Sequence, residues 1–312
     1  DEVCVVVSEG AEDLRAALAG ANGWSLRIDF AVQVSPRGLA HAVACARDFV
    51  GDERFLLYLG DNLFQRGVAS LTQEAIGRDC AACVFLSPVH DPRRFGVAQL
   101  DRKGKLIAVE EKPADPPSNL ALTGLYLLGP EIFDAADKIR PSRRGELELT
   151  DALQYLLASG ADVSSLEVDG WWRDTGQPSD VLEVNRLLLE ALATDDAVDP
   201  ALASCKIEGR VFFQNGADVH NSLIRGPAII GPGCVVRDSF VGPFTSIGSG
   251  SHLTGVEIEN SIVMSDCRIE HVPTRIDSSL IGQEVVIGSS DSHHRSNQFV
   301  LADQSQICLP RP

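Results

Sequence analysis

Four short segments carry side chains suited to phosphate or sugar chemistry. The first is Gly60-Asp61-Asn62, which follows the apolar run 55–59. An Asp just past a buried strand can hold a divalent cation, and Mg²⁺ in proteins usually takes one or two carboxylates together with substrate phosphates. Asp and Asn after a strand are also ordinary turn formers. Asp61 is therefore a candidate metal ligand, but this segment alone does not distinguish a metal site from an ordinary turn.

The second segment is QVSPRGLA, residues 33–40. A Gln at the end of a strand can present both donors and an acceptor to the edge of a planar ligand. Gly38 opens a helix, where N–H groups point outward and where the backbone can approach a ligand closely. A plain strand-to-helix turn would use the same residues.

The remaining two segments combine charges with hydroxyl-binding or aromatic groups. Glu110-Glu111-Lys112-Pro113 ends a predicted strand. There Lys112 could neutralise a phosphate and Glu111 could accept hydrogen bonds from sugar hydroxyls, although such charges also suit a solvated surface. The segment WWRDTG, residues 171–176, places two of the three tryptophans beside Asp174. A helix N-cap with aromatic packing is the alternative interpretation there.

Alternating strands and helices must position these segments. Short apolar runs predict strands at residues 3–7, 26–34, 55–59 and 81–86, with helices at 12–19 and 39–49 between them. This order predicts an α/β domain with a mostly parallel sheet, whose ligands bind beyond the carboxyl ends of the strands. Further β-structure is expected over 95–128, and an apolar stripe predicts a helix over 179–193.

After Cys205 the apolar pattern changes. Apolar residues recur about every six positions from Phe213 to Ile287, often with Gly before the turns, which predicts a parallel β-helix of hexapeptide repeats. We expect roughly four coils of about 18 residues. A β-sandwich is the alternative, but it requires longer alternating strands. The predicted domains are therefore 1–193, a linker at 194–204, the β-helix at 205–288 and a tail at 289–312.

Composition narrows the class of protein. The 312 residues suggest about two domains, and a net charge of −17 argues against nucleic-acid binding. The longest apolar run, Cys80–Leu86, is far shorter than a membrane span, and no signal-peptide pattern is present, so we expect a cytoplasmic protein without a membrane partner. The eight cysteines are expected to be free, with redox or metal use of the Cys80–Cys83 pair as the alternative.

In their order and spacing, the motifs resemble the sugar-1-phosphate nucleotidyltransferases of the glucose-1-phosphate thymidylyltransferase type. The resemblance runs from Val3 to about Leu192 and includes QVSPRGLAHA, YLGDN, PRRFGV, VEEKP, TGLY, RGELELTDA and WWRDTG. The hexapeptide region resembles the long form of that family, found in bacterial deoxysugar and antibiotic-sugar pathways. The resemblance implies a Rossmann-like nucleotidyltransferase domain followed by a left-handed parallel β-helix.

The resemblance also implies nucleotide and metal contacts. Gln33 and Gly38 would read the pyrimidine base, while Asp61 and Asp174 would hold Mg²⁺ at the phosphates. Lys112 would bind the sugar phosphate. The implied reaction is in-line attack of glucose-1-phosphate on the α-phosphorus of dTTP, which releases pyrophosphate and needs no covalent intermediate.

A second group of residues would surround the sugar. The resemblance implies that Gly96 lines the sugar site with its backbone, that Glu111 binds sugar hydroxyls, and that Thr123 and Gly124 close the pocket. Trp172 would pack beside it.

Two departures from the family pattern accompany these matches. Phe95 stands where the family often has Tyr, which removes one hydroxyl. The glycine-rich loop that binds the triphosphate has no counterpart, and the chain begins Asp1-Glu2-Val3 without Met. We therefore expect residues to be missing upstream, and a molecule that truly lacks them is expected not to turn over.

Three other functions stay open at this stage. UTP could replace dTTP, because a single methyl group discriminates weakly. The chain could be a non-catalytic regulatory or scaffold homologue. The β-helix could be an acyltransferase using His220, His252 or His271, although we expect it instead to cap the first domain or to join copies in a homo-oligomer.

Overall fold

The protein, in a computed structural model, is described over residues 2–19, 26–192, 204–288 and 306–308. The chain divides into two units, Asp1–Asp180 and Val181–Pro312. The division falls earlier than the predicted boundary at residue 193. Most of the predicted linker 194–204 and of the tail 289–312 lies outside the described residues.

A mixed sheet around one long buried strand organises the first unit. This strand, β8 (Leu120–Leu128), is apolar along nearly its whole length, as expected for a strand covered on both faces. The other strands of the unit are β1 (Glu2–Ser8), β2 (Arg27–Gln33), β3 (Phe55–Tyr58), β4 (Asn62–Phe64), β5 (Ala82–Pro88), β6 (Gly96–Leu100), β7 (Leu106–Glu111), β9 (Val163–Glu167) and β10 (Trp172–Asp174).

The strand directions differ from the predicted mostly parallel sheet. The main sheet has the order β7-β6-β8-β5-β9, with β3 also beside β8. Within it only β5 and β9 pair in parallel, because β8 runs antiparallel to β3, β5 and β6. The parallel pair β1–β2 forms a separate two-stranded sheet, and β4 pairs antiparallel with β10.

Helices cover the main sheet and complete two apolar cores. The helices of the first unit are α1 (Glu12–Ala19), α2 (Leu39–Cys45), α3 (Arg47–Val50), α4 (Ala69–Ile76), α5 (Glu131–Lys138) and α6 (Leu149–Ala158), and α7 (Pro178–Ala191) spans the boundary between the units. Val84 and Leu86 join one core with α5 and α6, whereas Cys83 and Phe85 join another with Trp172. Because side chains alternate along a strand, these cores lie on opposite faces of β5.

The second unit contains the predicted parallel β-helix, as a solenoid of five coils consistent with the left-handed form. Each coil contributes one strand to each of three five-stranded parallel sheets. The first sheet holds β11 (Lys206–Glu208), β14 (Leu223–Arg225), β17 (Phe240–Val241), β20 (Glu257–Glu259) and β23 (Ile276–Asp277). The second holds β12 (Val211–Phe213), β15 (Ala228–Ile230), β18 (Thr245–Ile247), β21 (Ile262–Val263) and β24 (Leu280–Ile281). The third holds β13 (Asp218–His220), β16 (Val235–Arg237), β19 (His252–Thr254), β22 (Arg268–Glu270) and β25 (Val286–Gly288).

The number of coils corrects the expected four. Ile207 pairs with Ile224, and Ile224 pairs with Val241, so the first coils take 17 residues, whereas register partners farther along lie 16 or 18 residues apart. The first coil already begins at Lys206, whereas the six-residue apolar period was counted only from Phe213. Asn, Asp and other residues with positive φ form the tight corners, as at Asn221 and Asp238.

Part of α7 belongs with the solenoid, which explains the earlier boundary. Asn185 Nδ2 donates to the Phe244 carbonyl at 2.9 Å, and Ser246 Oγ donates to Asn185 Oδ1 at 2.6 Å. The Arg186 guanidinium lies 4.6 Å from the Phe244 ring centroid. The apolar stripe on this helix reveals neither polar contact.

Among the described residues, no helix is both long and apolar enough to cross a bilayer. The cysteines in these ranges are free, as expected, and Cys80 Sγ lies 3.3 Å from Ser164 Oγ.

Candidate functional site

The β4–β10 ribbon brings the two predicted metal ligands together. Asn62 is the register partner of Asp174, so Asp61 and Asp174 lie at the same end of the ribbon although they are far apart in sequence. Both the backbone N–H and the hydroxyl of Thr175 donate to the Asp61 carbonyl, at 2.9 and 2.8 Å. These contacts fix the backbone on which both carboxylates stand.

Each of the two carboxylates has one oxygen already held. Asp61 Oδ1 accepts from Asn62 Nδ2 at 2.8 Å, and Asp174 Oδ1 accepts from the Gly176 N–H at 2.7 Å. The other oxygen of each accepts no hydrogen bond from the described residues. Within those residues no group of three or more His, Cys, Asp and Glu side chains could hold a metal. Two carboxylates completed by phosphate oxygens fit Mg²⁺, which binds in this way.

Asn62 connects this carboxylate pair to the predicted sugar residues. Its Oδ1 accepts from Trp172 Nε1 at 2.6 Å and from the Gly124 N–H at 2.9 Å. A Cβ at Gly124 would lie 2.4 Å from the Asn62 amide carbon, so Gly124 must lack a side chain for this contact to form. Sequence reasoning treated Asn62 only as a turn former, because nothing local indicates that it is buried.

Gly96 and Glu111 face each other across β6 and β7. A Cβ at Gly96 would lie 2.6 Å from Thr150 Cγ2 and 3.2 Å from Glu111 Oε2, so the glycine makes room for both side chains. Thr150 Oγ1 donates to the same Glu111 oxygen at 3.0 Å. The predicted pair therefore forms one surface with Thr150, to which sequence reasoning had given no role.

Burial raises the pKa of Glu111 above its ordinary value. The nearby Glu148 raises it further, while the Thr150 hydroxyl and the cations Lys112 and Arg144 lower it. Arg144 lies 3.5 Å from Glu111 and 3.4 Å from the buried Glu148. Arg144, Glu148 and Thr150 all lie in the RGELELTDA segment, whose match to the family had carried no residue roles.

Lys112 adopts φ 43°, and it is the one non-glycine residue of the first unit's described part with positive φ. Its N–H donates to the Phe95 carbonyl at 3.0 Å, directly after the β6–β7 pairing ends. A backbone conformation of this kind is unfavourable for a residue with a side chain. The turn redirects the chain immediately after Glu111.

The Trp172 ring lies in the core behind the site. It is buried and meets the Phe95 ring edge-on at a centroid distance of 5.2 Å. Phe95, where the family often has Tyr, thus serves in aromatic packing. Thr123 is also buried, and its hydroxyl has no hydrogen-bond partner among the described residues.

Gln33 and Gly38, the predicted base-binding residues, contact each other. Gln33 Nε2 donates to the Gly38 carbonyl at 3.2 Å and lies 2.9 Å from His41 Nδ1. Gly38 has φ 108° and ψ 173°, and a Cβ there would lie 2.5 Å from the Leu147 carbonyl oxygen. The loop before α2 is therefore packed against the segment that carries Arg144, Glu148 and Thr150.

The three histidines considered for acyl transfer lie on the surface of the solenoid. His220 Nε2 pairs with Asp218 Oδ1 at 2.6 Å, and His271 occupies a corner with φ 51°.

Comparison with known proteins relates the chain to nucleotidyltransferases. A family model for nucleotidyl transferases matches residues 1–191. A glucose-1-phosphate thymidylyltransferase of Streptomyces antibioticus is 42% identical over 98% of this chain and 86% of its own length. A low-salt glycan biosynthesis nucleotidyltransferase of Haloferax volcanii is 40% identical over 99% of this chain and 87% of its own. A solved Bacillus anthracis structure, provisionally assigned as a glucose-1-phosphate thymidylyltransferase, has a TM-score of 0.55 at 32% identity, covering 62% of this chain and 78% of that one.

Proposed function

Because this chain belongs to the nucleotidyl transferase family, among the glucose-1-phosphate thymidylyltransferases, we propose that it transfers a deoxythymidylyl group from dTTP to glucose-1-phosphate. A phosphate oxygen of the sugar attacks the α-phosphorus, the bond to the β-phosphate oxygen breaks, and pyrophosphate leaves. The product, dTDP-glucose, would supply deoxysugar biosynthesis. The observation that supports the proposal is the β4–β10 pairing, in which Asp174 pairs with Asn62, the neighbour of Asp61, so that both acidic residues lie at one end of the ribbon.

The acidic pair would hold Mg²⁺ through the carboxylate oxygens that accept no hydrogen bond from the described residues. When bound, Mg²⁺ withdraws negative charge from the phosphate under attack and aligns the two reactants. Phosphoryl transfer of this kind depends on positioning and charge neutralisation, and it requires no nucleophilic side chain. Asp61 and Asp174 supply the negative charge for this purpose from a rigid ribbon.

The remaining residues divide between the two substrates. Lys112 would neutralise the sugar phosphate, and Arg144 is a second cation beside Glu111. Two anionic substrates can approach each other only where such cations lower their repulsion. The Glu111 carboxylate would accept from sugar hydroxyls.

The backbones of Gly96 and Gly124, with Thr123 and Trp172 behind them, would shape the sugar pocket. Gln33 and Gly38 would face the base.

Pyrophosphate release, measured with glucose-1-phosphate, Mg²⁺ and either dTTP or UTP, tests the proposal. From protein that carries the upstream glycine-rich segment, we expect turnover that favours dTTP. Asp61→Asn and Asp174→Asn should each lower kcat roughly 100-fold or more, as happens when a group that stabilises developing charge is removed. Asp52→Asn, in an exposed turn, is the matched control and should leave kcat unchanged.

Preference for UTP would replace the nucleotide assignment and keep the reaction class. A folded protein that carries this upstream segment and turns over neither nucleotide would overturn the activity and favour the regulatory interpretation.

A further inference from the structure

Asn62 is a buried polar residue to which the proposed reaction gives no task, yet it contacts three residues of the site. It is 4% exposed, and its amide contacts Asp61, Gly124 and Trp172. Building on the proposed function, we propose that Asn62 is a positioning residue, which fixes the orientation of the Asp61 carboxylate against the wall of the sugar pocket.

The orientation of the Asn62 amide follows from the chemistry of its partners. The Trp172 indole and the Gly124 backbone each offer an N–H, which can only donate, and both meet the same Asn62 oxygen. The Asp61 carboxylate can only accept, and it meets the Asn62 NH₂ group. A flipped amide would place donors against donors on one side and oxygen against oxygen on the other. Only one orientation therefore satisfies all three neighbours.

The backbone around Asn62 is equally constrained. Asn62 is paired with Asp174 across the ribbon, and its carbonyl accepts a hydrogen bond from the Tyr58 hydroxyl. The Asn62 amide also fills the space that a side chain on Gly124 would take, since a Cβ there would lie within 2.5 Å of both its nitrogen and its oxygen. Hydrogen bonds and packing thus hold both the backbone and the side chain of Asn62 in place.

Holding Asp61 in this way has a chemical effect. The N–H donor at Oδ1 holds that oxygen and so orients the other carboxylate oxygen of Asp61. Residues that hydrogen-bond to a metal-binding group orient it, and their loss typically costs 10–100-fold in affinity or activity. The same side chain contacts Trp172 and Gly124, so one residue holds both the Asp61 carboxylate and the wall of the sugar pocket.

The decisive variant is Asn62→Asp, which changes one of the three contacts. A carboxylate at position 62 keeps an oxygen facing Trp172 and Gly124 but presents no N–H to Asp61. A carboxylate at position 62 cannot donate to Asp61 and repels its carboxylate, so Asp61 loses its fixed orientation. We expect kcat to fall roughly 10- to 100-fold, while KM for glucose-1-phosphate changes less than about threefold.

Two readouts separate positioning from general damage. Calorimetric binding of glucose-1-phosphate without metal should change less than about threefold in Asn62→Asp, in line with KM. In an NMR spectrum, the indole N–H signal of Trp172 is one of three in the chain and can be assigned by its loss in Trp172→Phe. It should stay in the hydrogen-bonded range in Asn62→Asp, where an oxygen still accepts, and leave that range in Asn62→Ala, which removes the acceptor.

The matched control is Asn221→Asp in the solenoid. Asn221 also donates to a neighbouring carboxylate, Asp238 Oδ1, at 2.6 Å, but at an exposed corner. This variant should leave kcat and KM unchanged. An active wild type with an Asn62→Asp variant that retains kcat within threefold would overturn the inference alone. The inference would also be overturned if Asn62→Asp lost both the Trp172 signal and kcat, because that result would indicate a purely structural role. A wild-type chain without turnover would overturn the proposed function and this inference together.

Discussion

Replacing Gly38 with alanine tests why this position lacks a side chain. If Gly38 only reads the base, Gly38→Ala should leave the stability of the fold nearly unchanged. The structure instead indicates a steric requirement. A Cβ at Gly38 would lie 2.5 Å from the Leu147 oxygen and 2.6 Å from its nitrogen, and both are backbone atoms that a side-chain rotation cannot move.

The expected loss of stability has two parts. Gly38 has φ 108° and ψ 173°, a region used almost only by glycine, where another residue pays about 1–3 kcal/mol. Relieving the clash requires the two backbone segments to move apart, which breaks two hydrogen bonds. These are Leu147 N–H to the Arg37 carbonyl at 2.7 Å and Ala40 N–H to the Leu147 carbonyl at 3.0 Å. Each contributes about 0.5–1.5 kcal/mol net. Gly38→Ala should therefore lower the free energy of unfolding by about 4 kcal/mol.

Gly145→Ala is the matched control for backbone strain alone. Gly145 has φ 79°, but nothing lies within 4 Å of a Cβ built there. Its substitution should cost only about 1–2 kcal/mol. Urea unfolding followed by circular dichroism gives both values from the midpoint and slope. A Gly38→Ala variant no less stable than Gly145→Ala would refute the steric argument and return Gly38 to a role in base binding alone.

Two further predictions concern the sugar side of the site. Because burial raises the pKa of Glu111, the folded chain binds this proton more tightly than the unfolded chain does, and ionisation of Glu111 opposes folding. Glu111→Gln should therefore raise the urea midpoint at pH 8, above the folded pKa, and change it little at pH 4. An equal gain at both pH values would contradict this. Lys112 holds an unfavourable positive φ, so Lys112→Gly should gain roughly 1 kcal/mol of stability while kcat falls. Lys112→Ala should lose kcat without that gain, and equal stability of the two variants would show that the backbone is not strained.

Local patterns in the sequence predicted most of the elements. Apolar runs located the strands at 55–59 and 81–86, and the six-residue period located the solenoid, because both signals depend on which side chains are buried within one element. The direction of β8 could not be predicted in this way, since a continuous apolar strand looks the same whether its neighbours run with it or against it. The break between α2 and α3 at Ala46 likewise has no Gly or Pro to signal it.

The candidate site shows the same limit. Residues with recognisable chemistry at strand ends, such as Asp61 and Glu111, could be selected from the sequence. Asn62 and Thr150 could not, because their importance comes from partners far away in the chain. Asn62 meets Trp172, and Thr150 meets Glu111, and only the folded chain brings these pairs together.

The solenoid makes the length of this protein adjustable in whole units. Each coil pairs only with the coil before it and the coil after it, so its stability is a sum of nearest-neighbour contributions. Removing or duplicating one whole coil, in which register partners lie 16 to 18 residues apart, leaves the remaining strands in register, whereas changing part of a coil shifts inward residues outward. Evolution can therefore lengthen or shorten this half of the chain rung by rung without redesigning its cross-section. The nucleotidyltransferase unit has no such freedom, since its site depends on contacts between segments far apart in the chain.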